Sequence, residues 1–185
     1  MLTDVQVYQI DCKVYLVKEI ELTHILEEIS GFIDFGLGKD KKMMKFHEGK
    51  GYKNYVHSGF NELERDKVYK EGKIYSFSIR TVDKELKDYF SKTLRDISTE
   101  TMKGLVTTVK HIKKVQITKL YSITPGLIKS DSGYWKGKID FETYEKRLLD
   151  NSIKKTKLIL EVYFEEDFVF FNNIQTLYIK TISYN

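Results

Sequence analysis

Between Gln6 and Leu16 the side chains Tyr8, Ile10, Cys12, Val14 and Leu16 occupy every second position, with Gln9, Asp11 and Lys13 among the residues between them. A period of two sends alternate side chains to opposite faces of an extended chain, so this stretch is predicted as a β-strand with one buried face. Such a strand cannot stand alone, because its inner face needs a covering layer and its edges need hydrogen-bonding partners. The next periodicity supplies a layer: Leu22, Ile25, Leu26, Ile29 and Ile33 recur at three and four residues, which predicts a helix that Gly36 and Gly38 are available to end.

The following segment, Lys39 to Asn54, is polar, glycine-containing and rich in lysine, and is predicted as a loop. Two strands are expected next, at Tyr55–Phe60 and Lys73–Thr81, the second with Tyr75, Phe77 and Ile79 alternating with Ser76, Ser78 and Arg80. Asp83 is placed to cap a helix whose Leu86, Phe90, Leu94 and Ile97 share one stripe. The β-branched stretch from Gly104 to Ile123 returns to strand. The order is β-α-β-β-α-β, so the fold class is α+β, a ferredoxin-like lobe.

After Thr124 the pattern begins again, with a short strand near Leu127 and Ile128, a loop at GYWKG, and a helix turning Phe141, Tyr144, Leu148, Leu149 and Ile153 inward. Strand-like pieces follow at Phe168–Phe171 and Leu177–Ile182. The expected organisation is an N-terminal lobe, residues 1–123, and an incomplete second ferredoxin-like lobe, residues 124–185. On this reading the other half of the second lobe is absent from the protein, and a half-lobe leaves strand edges that something must cover.

Composition bounds the function. With 185 residues, 41% apolar, 14% aromatic and one proline, the chain can bury a real core and disorder is not expected. The 31 basic residues exceed the 27 acidic ones by only four, so any attraction for nucleic acid must be local. Cys12 is the only cysteine, which excludes an internal disulfide and a Cys-rich zinc site; among apolar neighbours it reads as a buried strand thiol. No basic segment leads into an unbroken apolar stretch at the N-terminus, and the chain is expected to be soluble and cytoplasmic, with no membrane partner.

Two local charge asymmetries stand out. In the first, Lys39, Lys41, Lys42, Lys45, Lys50 and Lys53 face only Asp40 and Glu48, with Phe46, His47, Tyr52 and Tyr55 interleaved or adjacent, so phosphate-binding charge and base-stacking surface occur together. In the second, Lys103, Lys110, Lys113, Lys114, Lys119 and Lys129 run without an acidic residue; on a strand Lys110 and Lys114 project from one face and His111 and Lys113 from the other. Solvated lysines of a loop and of an edge strand produce the same composition. Of the four histidines, His24 is expected on the first helix and His57 and His111 on strands, whereas His47 lies among lysines and glycines, where an imidazole suits proton exchange. None has metal-ligand spacing, and no metal site or cofactor is expected.

The string FHEGKGYKNYVHSGF, preceded by a β-α unit and followed by EGKIYSFSIRTVDKELKDYF and LYSITPGLIKSDSGYW, resembles the CRISPR repeat-RNA endoribonucleases of the Cas repeat-associated (RAMP) superfamily, type I-B above all. The likeness runs from about Val5 to Leu149. It implies two tandem ferredoxin-like lobes and a metal-independent cut of precursor CRISPR RNA, in which the 2′-OH attacks the adjacent phosphate to leave a cyclic phosphate and a free 5′-OH. The family's histidine after the first helix and its lysine six residues on match His47 and Lys53, giving a proton-transfer group and a fixed charge for the phosphorane. The RNA-binding residues read from the two lysine-rich segments are Lys41, Lys42, Lys45, Lys50, Tyr52, Tyr55, Lys110 and Lys114, and the partners that the resemblance implies are CRISPR repeat RNA and other Cas proteins docking on the incomplete lobe.

Two departures accompany the likeness. Where some members carry a tyrosine on the first helix, GFIDF offers Phe32, Asp34 and Phe35, leaving Tyr52 or Tyr55 to substitute. No glycine-rich loop resembling the family's closes the C-terminal segment VYFEEDFVFFNNIQTLYIKTISYN. Three functions stay open: an endoribonuclease using His47 and Lys53, a truncated non-catalytic mimic acting as an anti-CRISPR protein, and an RNA-binding module without a CRISPR connection.

Overall fold

A computed structural model of the chain describes residues 6–112, 129–130, 133–134 and 138–160. The chain divides into two units, Met1–Thr118 and Lys119–Asn185. In the first, β1 (Val7–Leu16) is the strand that the alternation predicts, and Ile10, Cys12, Val14 and Leu16 are all buried. A short β2 (Ile20–Glu21) leads into helix α1 (Ile25–Leu37), then helix α2 (Lys41–Glu48), β3 (Tyr55–His57), β4 (Val68–Tyr69), β5 (Ile74–Thr81), helix α3 (Lys84–Thr93) and β6 (Met102–Ile112).

The main sheet has the order β3-β5-β1-β6, and every neighbouring pair is antiparallel. Along the chain, β1, α1, β3, β5, α3 and β6 follow the expected β-α-β-β-α-β order, and the fold is α+β. The central position of β1 follows from its pattern, because only a strand paired on both edges can bury one whole face without leaving backbone groups unpaired. Its register with β5 sets Ile10 opposite Ile79, Cys12 opposite Phe77 and Val14 opposite Tyr75, so the buried positions coincide. From α1, Ile25, Ile29, Phe32, Ile33 and Leu37 join this core, as do Leu86 and Phe90 from α3. The small β2–β4 pair covers one end, with Ile20 and Tyr69 buried.

Asp83 accepts from the backbone N–H of Glu85 and Leu86 and so starts α3, as expected. Leu94 and Ile97 of the predicted stripe are buried although the helix ends at Thr93. Two glycines allow close approach. A Cβ on Gly36 would lie 2.8 Å from Leu94 Cδ2, where α1 passes α3, and one on Gly104 would lie 1.8 Å from the Leu94 carbonyl oxygen.

Several expectations are corrected. Residues 39–54 are not a loop throughout: Lys41–Glu48 is helix α2, because Asp40 caps it and Met43 and Phe46 give it an inward side. Leu22 and His24 precede α1, and Leu26 is exposed on it. The third strand stops at His57 rather than Phe60. Of the stretch Gly104–Ile123, β6 occupies the part to Ile112, and the rest lies outside the described residues.

In the second unit, the pair β7 (Lys129–Ser130) and β8 (Gly133–Tyr134) and helix α4 (Phe141–Leu160) are described. Asp140 accepts from the Thr143 N–H at the start of α4. Tyr144 is buried as expected, whereas Leu148 is 39% exposed and does not belong to an inward stripe. The strands expected at Leu127–Ile128, Phe168–Phe171 and Leu177–Ile182 lie outside the described residues. Among the described residues no helix is long and apolar enough to cross a membrane.

Burial raises the Cys12 thiol to about 12, with the charge of Asp11 adding to the effect. Its thiolate is therefore suppressed in the folded protein, and a disulfide reagent is expected to modify Cys12 only at the rate of unfolding. Gly104→Ala is expected to cost about 3 kcal/mol or more through the backbone clash. Gly31, exposed on α1 with open space around it, is the contrast: Gly31→Ala is expected to add about 0.5–1 kcal/mol. Urea denaturation measures both, and an unchanged midpoint for Gly104→Ala would rule out the close passage of β6 by Leu94.

Candidate nucleic-acid interface

The lysine-rich segment folds back on α1 and β3. Asp40 accepts from the N–H groups of Lys42 (2.8 Å) and Met43 (3.0 Å), which fixes the first turn of α2. At the other end, where helix carbonyls lack intrahelical donors, Lys53 folds over the last turn. Its Nζ donates to the carbonyl oxygens of Phe46 (2.7 Å), His47 (2.5 Å) and Gly49 (2.8 Å) and lies 5.2 Å from the centre of the Phe46 ring. An ammonium has three donors, and all three are used. His47 and Lys53 are thus brought together, but through the backbone of His47 and with the lysine charge committed to the helix end.

The His47 imidazole sits in the last turn of α2 rather than in a loop. Its Nδ1 is shielded from solvent and lies 3.3 Å from Asp34 Oδ1 on α1, close enough for ion pairing but without the alignment of a hydrogen bond. The side chain as a whole stays 39% exposed, so the ring has one covered nitrogen and an accessible remainder. Tyr55 of β3 borders the same corner. Its ring packs edge-on against Phe90 at 5.2 Å, and burial, with the Asp34 carboxylate adding, pushes its phenol up to about 12. Half-buried and held by the core, Tyr55 is placed to wall the corner, not to stack on a base.

The lysines divide sharply. Lys42 reaches across to α3, where its Nζ donates to Glu85 at 2.6 Å, and this pairing raises the Lys42 pKa. Lys41, Lys45 and Lys50 are exposed and make no ion pair among the described residues, and Tyr52 is 44% exposed beside them. Lys39 lies 4.0 Å above the Phe35 ring. On the outer face of the sheet Lys110 donates to Asp11 at 2.6 Å. Burial works against the Asp11 charge, yet Lys110 and hydrogen bonds from Ser78 and Gln9 hold its carboxyl below the usual range. Lys114 lies outside the described residues.

The remaining histidines have ordinary contacts. His57 Nε2 is 3.0 Å from Ser30 Oγ and its Nδ1 is 3.2 Å from the Ser58 carbonyl oxygen, while His111 packs edge-on against Tyr8 at 5.2 Å. Two open clefts, of about 310 Å³ beside β2 and about 350 Å³ between α2 and α3, are lined by neither His47 nor Lys53. Among the described residues no group of three His, Cys, Asp or Glu side chains could hold a metal ion. No protein-family model matches the chain, and no curated protein shows significant similarity to it.

Asp34 is the group that sequence reading did not connect with the site. It lies 13 positions before His47, and only the turn between α1 and α2 brings the two together.

Lys53→Met keeps the aliphatic stem but removes the ammonium from three carbonyls. It is expected to cost about 1–2 kcal/mol in urea unfolding and to speed amide exchange along Lys41–Glu48. Alkaline pH gives a second expectation. Cys12 and Tyr55 start from 9.0 and 10.0 and are each raised to about 12, so the unfolded chain loses these protons first. Stability is therefore complete below about pH 9 and falls as pH rises toward about 12, which a pH series of thermal melts would read.

Proposed function

We propose that this chain is a cytoplasmic CRISPR repeat-RNA-binding protein, built on a ferredoxin-like lobe, that cuts precursor RNA by 2′-OH attack without a metal ion. The observation that carries this reading is the set of groups that α2 and the turn after it carry: a partly exposed imidazole, His47, turned toward α1; three exposed lysines without ion-pair partners among the described residues, Lys41, Lys45 and Lys50; and an exposed ring, Tyr52. Lysines of this kind neutralise phosphates, the ring offers a stacking surface for an unpaired base, and the imidazole supplies proton transfer at the scissile bond. The resemblance of this segment to repeat-RNA endoribonucleases supplies the substrate class.

The occupied state of Lys53 favours a second reading. A lysine whose three donors all bind helix carbonyls is not aimed at a phosphorane, and a non-catalytic mimic that occupies the endonuclease's place as an anti-CRISPR protein needs the shape of this corner but not its chemistry.

The discriminating experiment incubates the purified chain with a panel of labelled CRISPR repeat RNAs in EDTA. The nuclease reading expects a cyclic-phosphate product that His47→Ala reduces by about 10²-fold or more. Binding without cleavage, together with inhibition of an intact CRISPR system in cells, would replace it with the mimic. For either reading Lys45→Ala and Lys50→Ala are each expected to lower the slope of log K against log salt by roughly 0.7–1. An unchanged slope would remove α2 from the RNA interface.

A further inference from the structure

We propose that Asp34 is the positioning residue of the site: it fixes His47 in the tautomer with the proton on Nδ1 and leaves Nε2 as the base that accepts the 2′-OH proton. The catalytic part of this inference rests on the nuclease reading above, whereas the tautomer part stands on the corner between α1 and α2 alone.

The argument begins with what surrounds the ring. His47 Nδ1 is shielded from solvent and has no hydrogen-bond partner among the described residues, and the Asp34 carboxylate is the charged group beside it, at 3.3 Å. A carboxylate only accepts, so a bare Nδ1 would set two lone pairs against each other, whereas the charge of the carboxylate attracts a proton on Nδ1. A neutral imidazole has one N–H; with that proton on Nδ1, Nε2 carries the lone pair. The other groups at the corner do not oppose this. Tyr55 from β3 remains a neutral phenol up to about pH 12, and the Lys53 ammonium is bound to carbonyls of the α2 end, including that of His47 itself.

The chemical step then has a definite direction. The Nε2 lone pair takes the 2′-OH proton as the 2′-oxygen forms its bond to phosphorus. The P–O5′ bond breaks with its electron pair going to O5′, which takes a proton from water. The products are a 2′,3′-cyclic phosphate and a 5′-OH, and the hydroxide left from that water recovers the proton from the imidazolium. Asp34 touches none of the reacting atoms. It orients the ring and stabilises the imidazolium that forms.

The full chain, labelled with 15N-histidine, tests this by long-range 1H–15N correlation spectra, in which the two tautomers of a neutral histidine differ. The His47 signal is identified by its loss in His47→Ala. Wild type is expected in the Nδ1–H form and Asp34→Ala in the Nε2–H form that a solvated histidine prefers. Asp34→Asn, whose amide oxygen still accepts, is expected to keep Nδ1–H yet to cleave on the order of 10²-fold more slowly, because the charge opposite the imidazolium is gone. Wild type in the Nε2–H form overturns the proposal whether or not the variants fold, as does an identical tautomer mixture in wild type and Asp34→Ala. If wild type cuts no RNA, the nuclease reading falls and the spectra alone decide what Asp34 does.

Discussion

The inner face of β1 holds the fold together. Ile10, Cys12, Val14 and Leu16 are each no more than 1% exposed, and the strand is hydrogen-bonded along both edges, to β5 on one side and β6 on the other. Both crossover helices must cover that same face, since the opposite face carries Gln9, Asp11 and Lys13 beside Ser76, Ser78 and Arg80. With α1 and α3 side by side over one sheet, close approach between them becomes necessary. Gly36 supplies it, and the Tyr89 hydroxyl donates to the Gly36 carbonyl at 2.7 Å across the gap. The corner that carries His47 is a consequence of this packing. Three residues separate α1 from α2, whose Met43 and Phe46 pack against the core that β1 organises.

What could be read from the sequence follows from the strength of each periodic signal. The long alternation of β1, the stripe of α3 and its Asp83 cap were legible because several residues repeat the same message. Helix α2 was not, since eight residues with two inward side chains give almost no periodicity, and its glycines and lysines resemble loop composition. Lysine is in fact a good helix former, and Asp40 before KKMMKF is a cap signal of the same kind as Asp83. Leu148 shows the opposite case: its helical spacing predicts an inward side chain, yet it is exposed, because an apolar residue need not be buried.

Charge was harder to read than structure, because composition counts ammonium groups and not their partners. Lys42 is taken by Glu85, 43 residues away, and Lys110 by Asp11 on the neighbouring strand. Lys53 is taken by backbone carbonyls that no sequence count includes. The charge left to attract an anion around α2 is that of Lys41, Lys45 and Lys50, with Lys39 above the Phe35 ring, four of the six lysines that the segment 39–53 contains. Such a surface is a local excess of positive charge, which agrees with a chain whose overall charge is only +4.

Lys53 shows why position and chemistry must be weighed together. To stabilise a phosphorane its ammonium must leave the carbonyls of Phe46, His47 and Gly49, and the last turn of α2 then loses the cation that complements its dipole. Each released bond is worth about 1 kcal/mol net, so a bound phosphate must supply more than the sum to draw the lysine away. On the proposed nuclease reading, a lysine that moves loosens the turn that holds His47, and one that stays acts through the His47 backbone, by holding the imidazole at the height of Asp34. One ammonium cannot do both at once. A neutral substitution at this position therefore removes a helix cap and a cation together, and loss of cleavage in such a variant identifies Lys53 as a phosphate ligand only where the stability of α2 is unchanged.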